Sequence, residues 1–212
     1  MTVAELWRYP GKSRAGERLQ RAEIGRDGIA GDRVVHVQDG RGRVVTSRTH
    51  PMLLGLHATL GDDGEPLVEG EPWSSEDAVT AVRMAAAEDE ATLARHEGRE
   101  GFDVLPLLIA TDGALAALGV DHRRLRPNIV IAGVDGLAER AWPGRRLRIG
   151  AAVISVAKLR GRCVMTTYDP DTQEQDLSVL RRIVSEFGGR MALDCDVVEA
   201  GAVSVGDRVE LL

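Results

Sequence analysis

Residues 146–163 read RLRIGAAVISVAKLRGRC, and this stretch decides how the rest of the chain is taken. Arg146 to Ile149 and Ala151 to Ala157 are short runs rich in Val, Ile and Leu, separated by Gly150. Runs of this kind punctuated by glycine predict strands joined by a tight turn. The second run ends in Arg160-Gly161-Arg162-Cys163, followed by Val164-Met165-Thr166-Thr167-Tyr168-Asp169-Pro170. That end presents a sulfur flanked by two guanidinium groups. The thiolate form of cysteine attacks electrophiles and binds metal, and it suits soft or high-valent transition metals.

Outward from there the same pattern recurs, with 24 glycines in 212 residues. Val3 to Tyr9 reads as a strand closed by Pro10-Gly11. Asp32 to Gln38 and Gly42 to Thr46 bracket Asp39-Gly40, a hairpin signal. Leu53 to Leu60 is expected as a strand ending in the turn Gly61-Asp62-Asp63-Gly64, and Ala78 to Met84 as another strand. Glu88 to His96 has helical composition. Ala110 to Leu118 is expected as a helix capped by Thr111 or Asp112 and ended by Gly119. Asp176 to Phe187 is expected as a helix with Leu177, Leu180, Ile183 and Val184 on one face. Asn128 to Ala132, Met191 to Val198 and Arg208 to Leu212 complete the strands. The expected fold is mainly β and barrel-like with a few peripheral helices. It forms a single module over 1–212, with a possible N-terminal β lobe at 1–70 and a core at 71–212.

Composition narrows the function. The net charge of −6 argues against nucleic acid as a partner, and seven aromatic residues leave little surface for stacking bases. No apolar run is long enough for a transmembrane helix. The first residues lack the features of a secretory signal, and two cysteines fit a reduced compartment, so a cytoplasmic location is expected. The arginines cluster, however, at 123–126, 145–148 and 160–162. Clusters that converge would suit a small anion. Three further segments attract notice. Lys12-Ser13 follows the first strand after a Pro-Gly turn. Gly31-Asp32-Arg33, with Arg48 downstream, reads either as a surface ion pair or as a phosphate contact. Arg126-Pro127-Asn128 joins a charge run to an apolar strand, so that Arg126 and Asn128 would face a pocket. The five histidines show no metal-ligand spacing, and Cys195, in an alternating strand pattern, reads as structural.

Four segments in order carry a resemblance: Tyr9-Pro-Gly-Lys12-Ser13; Gly31-Asp32-Arg33; Arg124-Leu-Arg126-Pro-Asn128-Ile-Val; and Arg162-Cys163 with Thr166-Thr167 and Asp169-Pro-Asp171-Thr172. They resemble the MOSC family, named for the C-terminal domain of molybdenum-cofactor sulfurase. Within it the chain is similar to the mitochondrial amidoxime-reducing component and its bacterial relatives. The resemblance implies a molybdenum cofactor, with Cys163 as the catalytic residue and metal ligand. It also implies Lys12, Ser13, Arg33, Arg48, Arg126, Asn128 and Arg162 as cofactor-binding residues. An oxidoreductase reducing N-hydroxylated or N-oxide small molecules, fed by an electron-donor protein, is the expected function. The alternative is a carrier, holding sulfur as a Cys163 persulfide or holding cofactor without turnover.

Overall fold

The computed structural model describes residues 1–96 and 98–212. Its centre is an eight-stranded sheet in the spatial order Val209–Leu211, Arg146–Ile149, Ala152–Gly161, Arg190–Glu199, Leu107–Thr111, Ile129–Ala132, Thr2–Arg8 and Glu17–Leu19. All neighbours are antiparallel except Leu107–Thr111 with Ile129–Ala132. Burial follows position in the sheet. In Arg146–Ile149 only Leu147 and Ile149 are buried, because one face is covered. In Leu107–Thr111 every residue is buried, because both faces are covered. Three three-stranded sheets flank this centre, and the fold is mainly β as expected. The sheets stay open rather than closing into a barrel.

Three helices, α1 (Glu76–Ala86), α2 (Asp112–Leu118) and α3 (Leu177–Phe187), pack outside the sheet. Thr111 caps α2, and left-handed Gly119 ends it, as the sequence predicts. α3 starts at its Asp176 cap but buries Val179, Ile183 and Phe187; Leu177 and Val184, expected on the inner face, are exposed.

Other expectations fail for identifiable reasons. Ala78 to Met84 is not a strand but part of α1. Ser75 Oγ accepts from Ala78 N at 3.1 Å, Glu76 and Asp77 fill the first turn, and Ala78, Val82 and Ala86 form a buried stripe at four-residue spacing. Capping and that stripe override the strand preference of Val79, Thr80 and Val82. Glu88 to His96 is not helical. Ala87 ends α1 in the left-handed region, and Thr92–Arg95 pairs antiparallel with Val35–Gln38. Leu53 to Leu60 splits into a 3-10 turn started by Pro51 and the short strand Ala58–Leu60.

The main core lies on one face of the large sheet, opposite a cluster of Leu108, Ala110 and Ala192 on the other, and gathers alternate residues such as Ile109, Ile131, Leu147 and Ile154. Each such side chain contributes about 1.5–3 kcal/mol by leaving water. A second core, built from Val37, Val45, Leu53, Val68 and α1, supports the segment that carries Lys12, Arg33 and Arg48 to the sheet.

Candidate functional site

The strand Ala152–Gly161 delivers the cysteine. Its pairing with Arg190–Glu199 is interrupted by three irregularities, the last between Leu159 and Gly161, where the ladder ends at Gly161 opposite Arg190. Bulges re-aim side chains at strand ends. Beyond it, Thr166 N and Thr166 Oγ1 donate to Cys163 O at 3.1 and 2.9 Å, so the 3-10 turn Val164–Thr167 fixes the cysteine backbone. Arg124 holds that turn by donating to Thr167 O and Asp169 Oδ2, each at 2.9 Å. The Cys163 residue is exposed, on the wall of a cavity of about 570 Å³.

Lys12, Ser13, Arg33, Arg48, Arg126, Asn128, Arg162 and Cys163 all line this one cavity. Of the three arginine clusters, those around 123–126 and 160–162 converge on it. Arg145, Arg146 and Arg148 do not, because strand alternation keeps Arg146 and Arg148 on the exposed face. Nine cationic side chains and only two carboxylates line the hollow, although the whole chain carries a net charge of −6. Low-dielectric walls of one sign concentrate small counter-ions.

The two carboxylates, Asp103 and Asp194, organise the cations. Asp103 accepts from Lys12 Nζ at 2.9 Å and Arg48 Nη2 at 2.6 Å, with Arg160 Nη2 3.7 Å away. Burial alone would raise the Asp103 pKa, but the Lys12 hydrogen bond and the three positive charges hold it below the usual carboxylate range. Lys12 also donates to Gly101 O at 3.0 Å. Gly101 is needed there, since a Cβ would collide with the Arg33 carbonyl. Asp194 is 1 % exposed and accepts from Arg160 Nη1 at 2.9 Å, while its Oδ2 has no partner.

Asp32 and Arg33, for which the sequence leaves a surface ion pair and a phosphate contact open, form an internal pair. The Asp32 side chain is fully buried and accepts from Tyr9 N at 2.7 Å, from Asn128 Nδ2 at 2.9 Å and from Arg33. Asn128 meets the cavity wall, but its polar atoms are occupied by protein partners. Its Oδ1 accepts from Leu108 N at 3.1 Å, and its Nδ2 also donates to Trp7 O at 3.3 Å. Ser13, Arg33 and Arg126 have left-handed backbones, with φ of 64°, 54° and 57°. Such strain in residues other than glycine concentrates at functional sites.

Several donors remain unused. Arg126 donates to Arg14 O, and its guanidinium lies 4.2 Å from the Tyr9 ring centre, yet its Nη2 has no partner. Arg162 donates to Leu125 O at 2.8 Å and leaves Nε unpaired. Burial pushes both guanidinium groups down to about 10. Behind the wall, Arg14 is 0 % exposed with all three side-chain nitrogens unpaired, and burial, reinforced by Arg126, lowers it to about 10 as well. Sequence reading missed Asp103, Asp194 and Arg14. Asp194 sits in the alternating pattern beside Cys195, which is buried and structural in character. The fold also stacks His36 on His96 with ring centres 3.8 Å apart, a pairing across the Val35–Gln38 and Thr92–Arg95 ladder that histidine spacing does not reveal.

Two family models cover the chain. The MOSC domain matches residues 80–210 and the MOSC N-terminal beta barrel domain residues 1–104. The chain belongs to the MOSC family. This MOSC protein is 27 % identical to the mitochondrial amidoxime-reducing component 1 of Homo sapiens, over all of its own length and 83 % of the relative's. It is 25 % identical to the human mitochondrial amidoxime reducing component 2, over 98 % of this chain and 82 % of that one. The YuaD protein of Bacillus subtilis shares the fold, with a TM-score of 0.54 at 15 % identity, covering 100 % of this chain and 96 % of that structure. Among the described residues no helix is long and apolar enough to cross a membrane.

Proposed function

We propose that this MOSC protein binds a molybdenum cofactor in the cationic cavity and reduces N-hydroxylated small molecules there. The observation that carries this reading is one accessible thiol on the wall of a hollow with nine cations, inside an acidic chain. The donor set fits such a group. Among the described residues no three His, Cys, Asp or Glu side chains converge to hold a bare ion, so one thiolate suits a metal arriving with its own sulfur ligands. The unpaired Arg126 Nη2 and Arg162 Nε are donors for an anionic partner.

In this reading Cys163 supplies the protein ligand, and Lys12, Ser13, Arg33, Arg48, Arg126 and Arg162 hold the anionic organic part. When bound, the group supplies a two-electron centre able to accept oxygen from an N–O bond. The balanced reaction takes R–NHOH, two electrons and two protons to R–NH2 and water. The electrons come from a separate redox protein. Asp103 keeps Lys12, Arg48 and Arg160 oriented, and Asn128 with Asp32 fixes the wall beneath Arg33. The arginines attract the anionic group and compensate its charge; orientation and electrostatics are the protein's share of the chemistry.

The test is elemental analysis of the purified full chain for molybdenum, with benzamidoxime reduction driven by a chemical electron donor. Molybdenum in near-stoichiometric amount and reduction, both lost in Cys163→Ala, are expected. Molybdenum retained by Cys163→Ala with unchanged reduction rejects the reading. A persulfide on Cys163 with no pterin present would instead identify a sulfur carrier.

A further inference from the structure

A second cavity of about 240 Å³ lies behind the first, and Arg124, Arg126 and Met165 belong to the walls of both. We infer that this second cavity is a separate binding site for a small planar aromatic acid.

Its body is apolar and flat. Trp7 and Tyr9 lie nearly parallel, with ring centres 6.5 Å apart and planes 16° from one another, and Leu54, Tyr168 and Pro170 complete the wall. The polar ends of both rings are already engaged: Trp7 Nε1 donates to Glu5 Oε2 at 2.7 Å and Tyr9 OH to Pro127 O at 3.1 Å. Tyr9 is buried beneath the Arg126 guanidinium, so the π-surface that remains is that of the half-buried Trp7, which favours an aromatic partner. The cavity is smaller than the roughly 300–1,000 Å³ of drug-sized sites, so its occupant has one or two fused rings.

Its charge is positive where it is free. Arg123 is clamped by Asp171 through contacts of 2.8 and 2.7 Å, and Arg124 by Thr167 O and Asp169, so neither is available. Arg18 is exposed and makes no ion pair or side-chain hydrogen bond among the described residues, so it is the cation left to this slot, Arg126 being shared with the first cavity. A guanidinium free of protein partners beside an apolar slot selects a carboxylate carried by a ring. The site is distinct from the cofactor cavity: Cys163, Lys12 and Arg48 are not on its wall. The inference does not rest on the cofactor reading.

The experiment titrates 2-naphthoate, and the uncharged 2-naphthamide as its control, into the purified full chain. Calorimetry gives affinity and stoichiometry, and the change in tryptophan emission that a Trp73→Phe, Trp142→Phe background retains reports Trp7, which lines the slot. One-to-one binding of naphthoate is expected, about tenfold or more tighter than naphthamide, the size of one charge-assisted contact. Arg18→Glu, at an exposed position, should weaken naphthoate by about tenfold or more and leave naphthamide unchanged. Arg48→Glu, an exposed cation of the other cavity, should leave naphthoate binding intact. Absence of saturation at millimolar ligand overturns the inference. So does binding that Arg48→Glu removes and Arg18→Glu does not. Equal affinity for naphthamide overturns the acid specificity.

Discussion

Asn128 is the position where contact with the cavity and structural duty can be separated by measurement. Its main-chain N–H donates to Leu108 O at 2.7 Å, while its side-chain Oδ1 accepts from Leu108 N at 3.1 Å, so it continues the parallel ladder one step past Ile129. Its Nδ2 joins Asp32 to the first strand. Asn128→Ala would leave Leu108 N–H without its acceptor and remove one donor from the fully buried Asp32 carboxylate. An orphaned buried donor costs about 1–3 kcal/mol, and losing a hydrogen bond to a charged group about 1.5–3 kcal/mol. Water entering from the neighbouring cavity relieves part of this, so we expect a net loss of about 3 kcal/mol. In a chain of this length that corresponds to a fall in Tm of about 6–12 °C. Urea unfolding followed by circular dichroism, with calorimetry for Tm, measures it. A loss below about 1 kcal/mol, together with failure to retain molybdenum, would refute the latch and make Asn128 a direct cofactor contact.

Burial, the stacked His96 and the nearby Lys12 and Arg14 push His36 down to about 4, with Glu100 opposing, and burial and Lys12 lower His96 too. His36 holds fewer protons folded than unfolded between about pH 4 and 6.5, and His96 shifts in the same direction, so stability should fall as pH drops through that window. Urea midpoints at pH 7 and 5 should differ, and His36→Gln should shrink the difference; equal midpoints in the parent chain contradict the stacked-pair account. Arg14→Met should raise apoprotein stability by about 1–4 kcal/mol, because an unpaired buried cation gives way to an apolar side chain of similar length. A lower Tm would show that Arg14 has an acceptor in solution. Ser75→Ala should cost about 1 kcal/mol by uncapping α1, and an unchanged urea midpoint would argue against that cap.

Much of the sheet was legible because burial on one face writes itself into alternation, as at Arg146–Ile149. Leu107–Thr111 was not read as a strand. It is apolar on both faces and runs directly into α2, so periodicity gives no boundary between them. α1 was lost because three β-branched residues outweighed a serine cap that acts only through one hydrogen bond. The cationic residues of the site were legible individually, since Lys12, Arg126 and Arg162 each sit at the end of an apolar run. Their organiser Asp103 was not: a single carboxylate in a loop carries no pattern, and its meaning depends on Lys12 and Arg48 arriving from elsewhere in the chain.

That dispersion has a temporal consequence. Lys12 and Arg33 leave the ribosome long before Cys163, and the wall between them is finished only when Arg190–Glu199 has paired with Ala152–Gly161. No N-terminal fragment can therefore display the hollow, and any occupant must wait for a chain that is essentially complete. Occupancy then acts as a late brake on unfolding, rising with the logarithm of ligand concentration, rather than as a template on which the polypeptide assembles.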